Sequence, residues 1–135
     1  MASRALVTLV TGASPGARER AIHAMLVAGR AVAGRAAGRV AADGGANTAI
    51  ILEGLADAAS PLAPDSHLTI ARIAGGCLCC AGNLVLRVTL NRLLRQRPDR
   101  VLIGVGSSDH LDQLRSWLAS SPYDQLLELT PDMHA

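Results

Sequence analysis

All the cysteines of this 135-residue chain lie in one short segment. Cys77, Cys79 and Cys80 follow Gly75 and Gly76 in the stretch GGCLCC. Thiolates so close together repel one another unless a cation neutralises them, and three soft donors suit zinc or another thiophilic divalent metal. A disulfide between two adjacent cysteines would be strained, so metal binding is a better explanation than oxidation. The alternative is that the cysteines are inert and fill apolar space.

A second segment with a chemical pattern lies near the amino terminus, where GASPGARER starts at Gly12. A turn from a strand into a helix directs main-chain amides at anions, although such a turn can also be purely structural. The complete phosphate-loop pattern is G-x-x-x-x-G-K-[ST]. Here Arg18 takes the approximate place of the lysine, Glu19 replaces the hydroxyl, and the two glycines stand four positions apart instead of five. The candidate phosphate-binding residues are Gly12, Gly16, Ala17 and Arg18.

Composition narrows the classes of function open to the chain. All 13 basic residues are arginine, so no mechanism that needs a lysine of this chain is available. A net charge of +2 is too small to indicate nucleic-acid binding, and no apolar run is long enough to span a membrane. We therefore expect one cytoplasmic domain, residues 1–135, in which free thiols stay reduced.

Short apolar runs alternate with amphipathic stretches along the chain. This alternation predicts a three-layer α/β fold, with a mainly parallel sheet and helices on both faces. Gly29 is expected to end the first helix, residues 30–47 to form a loop, and residues 130–135 to be loose. The expected strands are Ala5–Val10, Thr48–Leu52, His67–Ile73, Arg100–Val105 and Asp124–Leu129, and the expected helices are Ala17–Ala28, Asn83–Arg97 and His110–Ala119.

The loops that follow parallel strands meet at one edge of a sheet, and ligands bind at that edge. The cysteines and the glycine turn would therefore lie on the same edge as two acidic side chains and an imidazole. That imidazole, His110, is a candidate fourth ligand for a metal held by the cysteines, although a histidine at a helix start is usually a surface residue. The four loops are Gly12–Arg18, Glu53–Asp57, Gly75–Cys80 and Gly106–His110.

The cysteine segment and the residues after it resemble the CobW-like GTPases, P-loop proteins that deliver metals or serve cobalamin assembly. RPDRVLIGV, residues 97–105, matches the family's R-P-D-x-[IV] strand, and VTLVTGASPGARERAIHAML lies where the family has its nucleotide loop. The resemblance covers nearly the whole chain in order and implies a truncated domain of the P-loop NTPase type with a metal site at the cysteines. The family's G-C-x-C-C loop corresponds to Gly76, Cys77, Cys79 and Cys80.

The chain departs from the family where nucleotide is hydrolysed. Arg18 stands for the phosphate lysine, Glu19 for the magnesium-binding threonine and Gly104 for the acid of the fourth strand, and the lysine motif that reads the base is absent. We therefore expect metal binding or delivery, with a metal-receiving protein or a second copy as partner, and no GTP hydrolysis. One alternative is a GTP-binding GTPase completed by a partner or oligomer. Another is an interaction domain with inert cysteines.

The opening of the chain also looks like that of short-chain dehydrogenases, which begin with T-G-A-S-x-G and bind a dinucleotide there. That family's third glycine would fall at Arg18, and its Tyr-x-x-x-Lys pair has no counterpart because the only tyrosine is Tyr123. The similarity ends after residue 32, whereas the CobW-like similarity continues. We therefore attribute the similarity to the dehydrogenases to a strand-turn-helix motif that both kinds of protein share.

Overall fold

The structure is a computed structural model that describes residues 4–12, 14–37, 47–53, 62, 68–73, 84–105, 111–120 and 123–135. Side chains are described for all of these except residues 29–37 and 84. The elements in chain order are β1 (Ala5–Thr11), α1 (Pro15–Ala37), β2 (Thr48–Glu53), β3 (Leu68–Ile73), α2 (Leu84–Leu94), β4 (Arg100–Val105), α3 (Leu111–Leu118), a 3-10 turn (Tyr123–Gln125), β5 (Leu127–Leu129) and β6 (Met133–His134).

The described strands form one parallel sheet in the order β3-β2-β4-β1-β5, with β6 also paired to β1. The carboxyl ends of β1 to β4 are level, because Thr11 is opposite Val105, Leu52 is opposite Gly104 and Glu53 is opposite Ile73. The first four strands predicted from apolar runs, β1 to β4, are confirmed to within one residue at each end. The parallel arrangement gathers the loops that follow these strands at one edge.

Helices cover both faces of the sheet, as the sequence predicts. On one face, Ile51 and Ile103 pack in a cluster with Leu90 of α2 and Leu114 of α3. On the other face, the alternate strand residues pack against α1, which contributes Ile22 and Leu26 to a second cluster. Each fully buried aliphatic side chain stabilises the fold by about 1.5–3 kcal/mol. The two clusters therefore hold helices against both faces of the sheet, which gives the fold its three layers.

Helix α1 is longer than the sequence predicts, at both ends. It begins at Pro15, since Ser14 caps it: the Ala17 amide donates to Ser14 Oγ at 3.1 Å and the Arg18 amide donates to the Ser14 carbonyl at 3.1 Å. It passes through Gly29, which was wrongly expected to end it. A helix-interior glycine costs only about 1 kcal/mol relative to alanine, and the alanine-rich residues after it favour helix.

Helix α2 is shorter than predicted, because it ends at Leu94 and not at Arg97. The Gln96 and Arg97 amides donate to the carbonyls of Leu93 and Leu94 in a tightened last turn. Arg97 has a φ of 53°, in the left-handed region that commonly terminates helices. Pro98 follows and cannot continue the helix.

The last residues of the chain are ordered along β1, which corrects the expectation of a loose tail. Only Leu127–Leu129 of the predicted fifth strand is strand, and it is followed by a second short strand, β6. Val7 is opposite Leu129, whereas Val10 is opposite Met133. Between these two pairs the tail has one residue more than β1. This bulge lets both short strands pair with β1 and brings residues 133–135 to the carboxyl edge of the sheet.

Tyr123, the only tyrosine, belongs to the cluster that packs α2 and α3 against the sheet, and its ionisation tests the packing there. The side chain is buried, its hydroxyl donates to Asn91 Oδ1 at 2.8 Å, and its ring lies 4.9 Å from that of Trp117. Burial raises the pKa of Tyr123 above its usual value of 10.0, although the charge of Arg87 partly opposes this effect. The folded state therefore holds the phenolic proton more tightly than the unfolded chain does.

We expect this tyrosine to contribute stability below pH 10 that is lost as the pH rises through the folded-state pKa. Denaturant unfolding at a series of pH values measures the loss of stability, and phenolate absorbance follows the ionisation of the tyrosine in the same range. A Tyr123→Phe variant should lose less stability than the parent over the same alkaline range. Equal losses of stability in the parent and in Tyr123→Phe would contradict the raised pKa of Tyr123.

Candidate functional site

The topological switch point of the sheet lies between the carboxyl ends of β1 and β4. These strands are neighbours, yet β1 leads into α1 on one face of the sheet and β4 precedes α3 on the other face. In open α/β sheets, ligands bind where neighbouring strands continue to opposite faces. Gly12 follows β1 directly, so the glycine turn predicted from the sequence lies at this point.

Arg18 and Gly12, two of the predicted phosphate-binding residues, contact each other. The Arg18 side chain is buried and its Nη1 donates to the Gly12 carbonyl at 2.9 Å. Gly16 and Ala17 lie in the first turn of α1, where the Ala17 amide is bonded to Ser14 Oγ. The structure thus brings the four predicted residues together, but part of their donor capacity is used within the turn itself.

Glu19 has a partner that sequence reasoning missed. Arg72 of β3 forms a two-pronged ion pair with it: Nη1 donates to Oε2 at 3.2 Å and Nη2 donates to Oε1 at 3.0 Å. The Glu19 side chain is 3% exposed and the Arg72 side chain 21% exposed. The carboxylate is thereby held against the outermost strand of the sheet and its charge is offset. No sequence motif joins these residues, which are 53 positions apart.

Gly104, which the CobW-like resemblance aligns with an acidic residue, faces the α1 side of the sheet. A Cβ atom added there would lie 3.0 Å from Leu52 Cδ2 and 3.8 Å from Ile22 Cδ1. Apolar side chains therefore occupy the space beside this position. A carboxylate introduced at residue 104 would enter an aliphatic cluster and would have to be desolvated there.

His134 and Ala135 lie beside the glycine turn, a position that sequence reasoning did not predict for either residue. Thr11 Oγ1 and His134 Nδ1 are hydrogen-bonded at 2.5 Å, and the Ala135 amide donates to the Thr11 carbonyl at 2.6 Å. A Cβ atom on Gly12 would come within 2.9 Å of Ala135 Cβ and 3.1 Å of Arg18 Cγ. Glycine is needed here because neighbouring side chains cover its Cα.

The predicted metal ligands Cys77, Cys79, Cys80 and His110 lie outside the described residues. The structure does describe the elements that flank the cysteine segment, since β3 ends at Ile73 and α2 begins at Leu84. In the part of the chain that is described, no group of three or more histidine, cysteine or acidic side chains could hold a metal ion. Nor does that part contain a helix with the length and hydropathy needed to cross a bilayer.

Comparison with known proteins finds a partial relative. No model of a protein family matches the chain, and no solved structure does. Among curated proteins, the zinc chaperone YeiR of Escherichia coli (strain K12) is 39% identical to this chain over 69 residues. The matched region is 50% of this chain and 21% of the relative, so the chain spans about a fifth of the relative's length.

Proposed function

We propose that this chain binds zinc through Cys77, Cys79 and Cys80 and passes it to a receiving protein. The observation that carries the proposal is the 39% identity to a protein named as a zinc chaperone, which agrees with the CobW-like resemblance of the cysteine segment. The parallel α/β sheet is consistent with that family's fold. Zinc is here the cargo of the protein and not a catalytic cofactor.

Three thiolates suit a delivery site better than a closed structural site. Structural zinc sites have four protein ligands, whereas a site with three protein ligands leaves a position open to exchange. His110 is the candidate fourth ligand, because it follows β4 in the chain as the cysteine segment follows β3. A fourth position filled alternately by this histidine and by a ligand of the receiving protein would allow stepwise transfer.

We further propose that the domain does not hydrolyse GTP. Phosphoryl transfer depends on cations that offset the charge developing on the phosphate oxygens. Arg18, at the lysine position, is already hydrogen-bonded to the Gly12 carbonyl, and Glu19, at the threonine position, is held by Arg72. Leu52 and Ile22 occupy the space beside Gly104 where a magnesium-binding acid would have to fit. These contacts support a nucleotide loop that has lost its catalytic chemistry.

Phosphate binding at this loop is expected to be weak and hydrolysis absent. We predict salt-sensitive, millimolar binding of GTP and ATP with no preference between them, because the start of α1 still favours an anion but no base-reading segment exists. Titration calorimetry at low salt and a phosphate-release assay with magnesium measure the two properties. Submicromolar, GTP-selective binding, or sustained phosphate release abolished by Arg18→Ala, would contradict the prediction.

Elemental analysis tests the proposed function directly. The protein is purified under reducing conditions without chelator, and zinc is then measured per chain together with the oligomeric state. We expect one zinc per chain, or one per dimer if two copies share a site. A protein that stays free of zinc after incubation with equimolar zinc would overturn the proposal and favour an interaction domain with inert cysteines.

A further inference from the structure

The exposed side of α2 carries a stripe of two valines and two arginines. Val85 and Val88 are 57% and 56% exposed, which is unusual for β-branched apolar side chains on a short helix. Arg92, in the last turn of the helix, and Arg95, just after it, are also exposed. Spacings of three and four residues place Val85, Val88 and Arg92 on one side of the helix, and Arg95 follows in the turn after it. We call this set the α2 stripe.

The charge around the α2 stripe is of one sign. Residues 84–98 contain four arginines and no acidic residue. Ion pairs between described residues are made by Arg4, Arg72 and Arg115, and none of them involves an arginine of α2. Exposed guanidinium groups with no ion pair to a described carboxylate, next to exposed valines, are complementary to a surface that is both acidic and apolar.

The α2 stripe begins close to the cysteines along the chain. Val85 is five residues after Cys80, and five residues of fully extended chain span at most about 18 Å. A protein bound on α2 would therefore lie within reach of the thiols proposed to carry zinc. Arg87, which is on another side of the same helix, is not part of the stripe, and its guanidinium lies 5.9 Å from the centre of the Trp117 ring.

We infer that the α2 stripe is the docking surface for the protein that receives zinc, and that this protein presents an acidic, amphipathic helix to it. The inference names the partner of the proposed delivery function and rests on that function. Carboxylates on one side of such a helix would meet Arg92 and Arg95, while its apolar side chains would cover Val85 and Val88. A nucleic-acid backbone would leave the valines uncovered, and two valines are too few to insert into a membrane.

The test uses a fluorescently labelled synthetic helix that carries glutamates on one side and leucines on the other. Binding to the full chain is followed by fluorescence anisotropy. We expect saturable binding that weakens as salt is raised. The Arg92→Gln/Arg95→Gln variant should bind about tenfold more weakly, with most of the loss at low salt. The Val85→Ser/Val88→Ser variant should also bind about tenfold more weakly, but with little dependence on salt.

Matched controls lie on α1, on the opposite face of the sheet. Arg20 and Val27 are both exposed there, and Val27 is 50% exposed, so Arg20→Gln and Val27→Ser remove the same kinds of side chain elsewhere. All of the substituted side chains are exposed, so each variant should fold like the parent, and thermal unfolding checks this. Equal losses of binding in the α1 and α2 variants would overturn the inference.

Other outcomes separate this inference from the proposed function. The docking surface would be overturned if a helix with lysines in place of the glutamates bound equally well, or if duplex DNA or phosphatidylglycerol vesicles bound more tightly. It would also be overturned by self-association through α2 or by the absence of saturable binding. Zinc content is measured in the same samples. A parent protein that holds zinc but binds no helix leaves the proposed function standing. One that binds the helix but no zinc overturns the delivery function and, with it, the identification of the partner as a zinc receiver, and leaves only a surface that binds an acidic helix.

Discussion

A Cys79→Ser variant is expected to bind zinc at least about 100-fold more weakly than the parent chain. The serine hydroxyl is a much poorer ligand for zinc than a thiolate, and loss of even an outer-shell partner commonly reduces metal affinity 10–100-fold. Only three thiols are present, so no other cysteine of the chain can take the place of Cys79. Competition against a zinc-binding indicator dye under reducing conditions measures the change.

The matched control is His23→Gln, which removes a potential zinc ligand from the exposed surface of α1. Its affinity for zinc should equal that of the parent. His110→Gln distinguishes the two forms of the site: a clear loss would indicate a four-ligand site, and no change would indicate three thiolates with an open position. If Cys79→Ser kept the affinity of the parent, the cysteine segment would not be the zinc site.

An Arg72→Met variant is expected to lose about 3 kcal/mol of unfolding free energy, the lower end of the range for breaking a buried ion pair. The Glu19 carboxylate is 3% exposed, so without the arginine it loses a two-pronged, charge-assisted partner and cannot regain full hydration. The lower end applies because Arg72 is itself 21% exposed. Domains of this kind are stable by about 5–15 kcal/mol, so the loss is easily measured by denaturant unfolding.

Two further variants show whether the loss comes from the buried charge. Adding Glu19→Gln to Arg72→Met removes the charge that has been left behind and should recover part of the lost stability. Arg4→Met breaks a pair with Glu128 whose side chains are 50% and 54% exposed, and should cost less than about 1 kcal/mol. If Arg72→Met cost as little as Arg4→Met, the ion pair would have no special structural role.

The centre of the sheet was predictable from the sequence because β1, β2 and β4 are buried on both faces. Runs such as Thr48–Glu53 and Arg100–Val105 are almost continuously apolar, and their burial follows directly from that pattern. The extent of α1 was not predictable from Gly29, since one glycine is a weak helix breaker when good helix formers surround it. The order of the tail depends on pairing with β1, more than 120 residues away, for which the sequence holds no local signal.

The candidate site was predictable only where one short segment carries its chemistry. The cysteines and the glycine turn are recognisable because their residue types and spacing are local. The partner of Glu19 is not, because the ion pair depends on the side chain of Arg72 reaching α1 over the sheet. The contact of Arg18 with Gly12 was hidden for a similar reason, since a guanidinium can turn either towards a ligand or back to its own loop.

The Glu19–Arg72 pair has a consequence for the comparison of this chain with its relatives. A buried carboxylate and its arginine cannot be exchanged one at a time without loss of stability, so evolution has to substitute them together or through a compensated intermediate. Relatives with a hydroxyl residue at the position of Glu19 are therefore free to carry an uncharged residue at that of Arg72. In an alignment of similar sequences, glutamate at position 19 should therefore occur together with arginine at position 72.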